Sequence, residues 1–185
     1  MGRIDPIPPA QWTPEVLAAI EPLNPKGRRH PRPPRDDRVA GVAALGLLAH
    51  HPALARAFAS FNGHVLWDTT LTARQRQLLI LRVAAKRQAS YLWGEHSRSS
   101  RHAGLSDEEI KLVRDAPDAP RWAALDAALL RAVDELIDHG IVSDGTWSVL
   151  TGELDVEQLI DVVCTVGCYE TTSLLFRTFG LEARP

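Results

Sequence analysis

The prolines divide this chain before any other feature does. Nine of the 13 lie in residues 1–37: Pro6, Pro8, Pro9, Pro14, Pro22, Pro25, Pro31, Pro33 and Pro34. Each proline fixes φ and removes an amide donor, so this density excludes a long helix and favours extended segments. One short helix fits at Pro14–Ile20, with Thr13 as N-cap and Pro14 in the first helical position. Residues 1–37 therefore read as a Pro-rich N-terminal arm and residues 38–185 as the folded domain. The arm's stretch Lys26-Gly27-Arg28-Arg29-His30-Pro31-Arg32 is basic. It can bind phosphate or serve as a solvated strap over a neighbouring subunit, and the strap is the plainer expectation.

Past the arm, regular period-two alternation with turn signals is absent, which predicts an all-α domain. A first helix pair is expected at residues 38–50 and 52–65, with Pro52 opening the second. Thr72 with Gln75 reads as a capping box, opening a helix to about Arg87. That helix carries Leu78-Leu79-Ile80-Leu81 and then Val83-Ala84-Ala85. Apolar residues on nearly every side mark it as central and buried. Further helices are expected at residues 90–103, ending at Gly104, and at 106–114, opened by the Ser106/Glu109 capping box. The segment from Pro120 to His139 stops at Gly140, Ser143 opens a short helix to Leu150, and the last helix runs from Asp155 to Phe179.

Bulk properties narrow the function classes. A net charge of −2 gives no support to nucleic acid or an anionic membrane as partner. No unbroken apolar run reaches the roughly 18 residues of a membrane span, and the N-terminus lacks a signal-peptide pattern. Two cysteines make no disulfide framework. A soluble, cytoplasmic domain is expected.

Four segments then stand together in order. His50-His51-Pro52-Ala53-Leu54 is followed by Leu71-Thr72-Ala73-Arg74-Gln75-Arg76-Gln77-Leu78 with Ile80-Leu81-Arg82. Next come Tyr91-Leu92-Trp93-Gly94-Glu95-His96 with Ala103-Gly104-Leu105-Ser106, and finally Thr165-Val166-Gly167-Cys168-Tyr169 with Thr178-Phe179-Gly180. Over roughly residues 45–182 this series resembles the carboxymuconolactone decarboxylase family, which implies the alkyl hydroperoxidase D-like helical fold. Relatives of the hydroperoxidase type use C-x-x-C-x-x-x-H with a Glu twelve residues before the first Cys. Those positions fall here on Ala89, Leu92 and His96, with Gln77 in place of the Glu. Thiol peroxidase chemistry needs an attacking thiolate and a resolving thiol, and Ala89 and Leu92 supply neither.

What remains is a candidate small-molecule site. Positions 89, 92, 93 and 96 share one side of a helix, so Ala89, Leu92, Trp93 and His96 are expected around one pocket, with Gln77 joining them if the family geometry holds. His96 is the member of that set able to exchange protons near neutral pH. The resemblance implies acid/base chemistry at His96 on a small organic acid, lactone or enolisable carbonyl, with neither a metal nor an organic cofactor. His64 and Trp67 are candidates for the pocket mouth. Tyr91 and Tyr169 can donate phenolic hydrogen bonds or lie in the core.

Arg74, Arg76 and Arg82 can each clamp a carboxylate. Arg74, a turn from Gln77, is the preferred clamp, while Arg82 is expected in a salt bridge with Glu95 or Asp161. Glu170 is open between acid/base work and an interface ion pair, and Cys164 and Cys168 read as buried, inert thiols. The resemblance also implies a homo-oligomer, trimeric or hexameric, with a dimer possible. The competing readings are a non-catalytic binding or assembly member and, further off, a peroxide-reducing protein.

Overall fold

The computed structural model describes residues 3–23, 25–31 and 41–182. Among them are nine α-helices and no strand. They are α1 (Pro14–Ile20), α2 (Val42–Leu48), α3 (Pro52–Gly63), α4 (Ala73–Lys86), α5 (Ser90–His102), α6 (Asp107–Asp115), α7 (Ala124–His139), α8 (Asp144–Glu153) and α9 (Val156–Phe179). The start of the helix expected at residues 38–50 lies partly outside the described residues, as do Arg32, Pro33 and Pro34 of the arm.

Local chemistry sets the boundaries. Thr13 caps α1, and Ser143 caps α8, each side chain accepting from the backbone three residues on. Complete capping boxes join Thr72 to Gln75, Ser106 to Glu109 and Asp155 to Gln158. The sequence-based expectation differs at the end of α3. Instead of continuing to residue 65, the α-helix stops at Gly63 and widens into a π-helical turn, His64–Asp68. Such turns alter side-chain direction and recur at functional sites. Here the turn delivers Trp67 to the site and His64 to Asp161.

Helix α4 is the axis of the domain. Its nine consecutive residues Arg76–Ala84 are all buried. It packs against α5, α6, α7 and α9. Leu79, Ile80 and Val83 join Leu129, Val133, Val162, Val166 and Phe176 in the larger core. Leu78 and Leu81 join Leu105, Ile110, Val113, Trp122 and Leu130 in a second one. Each buried aliphatic side chain contributes about 1.5–3 kcal/mol, so α4 is held from both sides.

The arm lies on its own chain. Arg3 donates to the Phe179 carbonyl (2.9 Å) and Ile7 to the Gly46 carbonyl (3.0 Å). His30 donates its backbone N–H to the Trp67 carbonyl (2.9 Å). Two glycines permit this approach: a Cβ at Gly46 would sit 2.5 Å from the Ile7 oxygen, and one at Gly63 2.4 Å from the Pro22 oxygen. The described part of the strap thus covers its own domain.

Helix α9 is long and apolar enough, by length and composition, to cross a membrane, yet half of that apolar window is buried in the domain. That is the pattern of a core helix. Several polar side chains prove structural. Arg82 pairs with Asp134 (2.8 and 2.7 Å) instead of Glu95 or Asp161, because α7 brings Asp134 beside it. Glu170 forms a two-pronged ion pair with Arg87 of its own chain. Cys164 and Cys168 are free thiols, and burial pushes the Cys168 thiol up to about 11.

Candidate functional site

A cavity of about 250 Å³ opens between α4, α5, the π-helical turn and the arm. Helical spacing explains its walls. Ala73, Arg76 and Gln77 form one edge of α4, while His96, Ser99 and Ala103 form the facing edge of α5. Leu66 and Trp67 come from the π-helical turn, His30 and Pro31 from the arm, and His102 from the end of α5. No Asp or Glu lines it among the described residues.

His96 and Gln77 meet at this wall, Nδ1 of the imidazole lying 3.0 Å from Oε1 of the amide. With Oε1 facing the ring, Nδ1–H donates and Nε2 keeps the lone pair. Ser100 Oγ lies 3.3 Å from the same Oε1 and donates to the His96 carbonyl at 2.7 Å. Tyr169 stands edge-on to the imidazole, 5.0 Å between ring centres. Gln77 is 3% exposed, and His96 keeps a partly exposed edge where it meets the cavity. Removal from water, reinforced by the charge of Arg76, holds the imidazole down at about 3, so it is neutral at neutral pH. His30 is also depressed, chiefly by burial, although its Nε2 donates to the Thr69 carbonyl at 3.0 Å.

Arg76 is the charge at the centre of this group. It is 6% exposed, and neither its Nε nor its Nη1 has a hydrogen-bond partner among the described residues. Burial pulls its pKa down, and no carboxylate opposes this; a guanidinium nonetheless stays charged.

Of the residues expected from sequence, His96, Gln77 and Trp67 meet at the cavity, and Tyr169 backs the imidazole. Ala89 and Leu92 do not reach it, because the site uses the C-terminal half of α5 while these two are core near its start. Trp93 turns away, its ring 5.2 Å from the Arg114 guanidinium. Tyr91 packs edge-on to Phe176 at 5.3 Å. His64 is bound to Asp161 at 2.8 Å, outside the lining. Arg74, the expected clamp, is committed to Asp126 (2.8 Å) and Glu109 (2.5 Å), so the cavity's cation is Arg76. Sequence reasoning missed His30, Ser99 and Ser100, and nothing local announces His30, which arrives from the far end of the chain. No group of three or more His, Cys, Asp or Glu that can hold a metal occurs among the described residues.

The fold has known counterparts. A protein of unknown function from Agrobacterium tumefaciens, whose suggested role is antioxidant defence of the AhpD kind, superposes with a TM-score of 0.67 at 21% identity, over 75% of this chain and 95% of that one. An uncharacterised peroxidase-related protein with an alkylhydroperoxidase AhpD core from Ralstonia eutropha gives 0.68 at 18% identity, over 76% of each chain. At these identities the likeness is one of fold. No curated protein matches the chain significantly. Residues 52–135, which include α4, α5 and the His96–Gln77 pair, match the carboxymuconolactone decarboxylase family, and the chain has Ala89 and Leu92 where hydroperoxidase relatives carry cysteines.

Proposed function

We propose that this chain is an enzyme that moves protons on a small organic acid, lactone or enolisable carbonyl, with His96 as acid/base and Gln77 as its positioning partner. The observation that carries this reading is the 3.0 Å contact between His96 Nδ1 and Gln77 Oε1 at the wall of the cavity. Gln77 fixes the tautomer, leaving Nε2 to take a proton from a carbon next to a carbonyl. The imidazolium so formed returns that proton to a neighbouring carbon, which completes an isomerisation. Gln77 accepts no proton itself, so the ring stays a neutral base until a substrate arrives. A cytoplasmic setting accompanies the reading, since both cysteines are free thiols.

Two other readings weigh less. Peroxide reduction is opposed by Ala89 and Leu92, and by the raised pKa of Cys168, which keeps it a thiol. An assembly role is favoured by the exposed apolar residues Val156, Ile160, Val163 and Leu174 along α9. We propose that this stripe joins copies of the chain in a homo-oligomer, trimer or hexamer before dimer. Light scattering should then give a multiple of 20.4 kDa that Val163→Glu dissociates; a monomeric unsubstituted protein removes the idea.

The enzymatic reading is tested by deuterium exchange in D₂O, followed by NMR on pyruvate, phenylpyruvate, levulinate and γ-valerolactone. The wild-type chain should speed exchange of α-protons in at least one. His96→Gln should lower that rate by about 100-fold or more with the circular dichroism unchanged. Equal exchange in both proteins would remove His96 from the chemistry, and ligand binding without exchange would make the chain a binder.

A further inference from the structure

Buried arginines are normally answered by a carboxylate or by carbonyl oxygens, because an isolated charge out of water is costly. Arg76 is buried, and its Nε and Nη1 are answered by neither among the described residues. It does not merely approach the cavity: it is part of the lining. Its neighbours there are the amide of Gln77 and the imidazoles of His30 and His96, both depressed and therefore neutral at neutral pH. Among the described lining residues there is no acidic side chain, and Arg76 supplies their one guanidinium. Besides Ser99 and His102, the rest of the described wall is apolar: Pro31, Leu66, Trp67, Ala73 and Ala103.

We propose that Arg76 is the anchor of a carboxylate site, and that the cavity takes a small monocarboxylate with a flat apolar body, its carboxylate on the guanidinium and its body against Trp67 and Leu66. One charge calls for a monoanion. A phosphate dianion would need a second guanidinium or ammonium group, which the described lining residues do not supply. The identity of residue 77 fits the same logic. A carboxylate there, next to Arg76 and facing the same cavity, would neutralise the guanidinium internally. Gln77 leaves the charge for the ligand. The bound anion also offsets the field that Arg76 exerts on His96. That last consequence rests on the enzymatic reading above, whereas the binding does not.

Calorimetric titration of the full chain with benzoate, benzamide and inorganic phosphate at pH 7.5 tests this. Benzoate should bind at millimolar concentration or tighter, and the neutral isostere and phosphate at least tenfold more weakly. Arg76→Met should lose benzoate binding by at least tenfold and leave Tm unchanged or raised by a few degrees, since an unanswered charge is removed. Equal affinity for benzoate and benzamide, equal benzoate affinity in Arg76→Met, phosphate binding as tight as benzoate, or indifference of the wild type to benzoate would each overturn the proposal. Should Arg76→Met lose stability, Arg76→Lys decides. It keeps the charge but not the fork, so benzoate must weaken while benzamide stays unchanged; benzoate binding as in wild type would overturn the anchor. Benzoate binding without catalysed exchange would remove the enzymatic reading alone. Exchange of a neutral lactone without benzoate binding would remove the anchor alone.

Discussion

Arg76 and Arg82 stand six residues apart on one helix, 6% and 9% exposed, and share nothing else. Arg82 grips Asp134 with two parallel hydrogen bonds and donates a third to the Val113 carbonyl at 2.9 Å. It ties α4 to α7 and to the end of α6. Arg76 ties α4 to nothing among the described residues, and it opens on a cavity. Burial alone therefore does not separate a structural cation from a functional one. Satisfaction does: a buried charge with every partner in place holds the fold, and one without partners is kept at a cost that a ligand can repay.

The sharpest way to break this comparison is to remove each charge in turn. Arg82→Met leaves the Asp134 carboxylate, 25% exposed, with Lys86 at 3.9 Å in place of a two-pronged partner, and should destabilise the chain by about 2 kcal/mol. The urea midpoint should fall with the slope of the transition unchanged. Arg76→Met, on the same helix and equally buried, should cost nothing or stabilise by about 1 kcal/mol. Similar losses in both variants would mean that Arg76 also has a structural partner, and the contrast would collapse.

The two arginines also mark the limit of what the sequence reveals. The helices and their starts are legible because each cap is a local event: Thr72 needs Gln75 three residues away and nothing else. The His96–Gln77 pair is legible for a related reason, since the family pattern aligns both positions. Which arginine faces the cavity is not legible. Arg74 and Arg76 are two residues apart with no local difference in their surroundings, and the decision is made by Glu109 on α6 and Asp126 on α7, which claim Arg74. The π-helical turn is hidden for the same reason. His64 reaches Asp161 at 2.8 Å, and that carboxylate also receives the Thr70 amide at 2.6 Å and its hydroxyl at 2.8 Å. A sequence window around residue 64 contains none of this. The arm shows the converse, because its prolines exclude a long helix yet do not say that His30 will land beside Arg76.

A subtler change turns the cavity half of the comparison into its structural counterpart. Gln77→Glu sets a carboxylate beside Arg76 and against His96, so the guanidinium gains a permanent partner, as Arg82 has in Asp134. Benzoate affinity should fall by about tenfold, because ligand and Glu compete for one cation. His96 should respond in the opposite sense. In the wild type its pKa is depressed from 6.5 to about 3, first by burial and then by Arg76. Between those values the unfolded chain binds more protons than the folded one, so stability falls as pH drops through that window. His30 is depressed as well and adds to the same slope. A carboxylate at position 77 favours the imidazolium and raises the folded pKa of His96, which removes most of its share and leaves that of His30. Melting temperature followed from pH 6.5 to 4.5 should therefore decline less steeply in Gln77→Glu than in the wild type. The new carboxylate, paired with Arg76, titrates below that range and does not blur the reading. Parallel declines would mean that His96 does not feel residue 77 through the 3.0 Å contact, and the amide would lose its role as positioning partner.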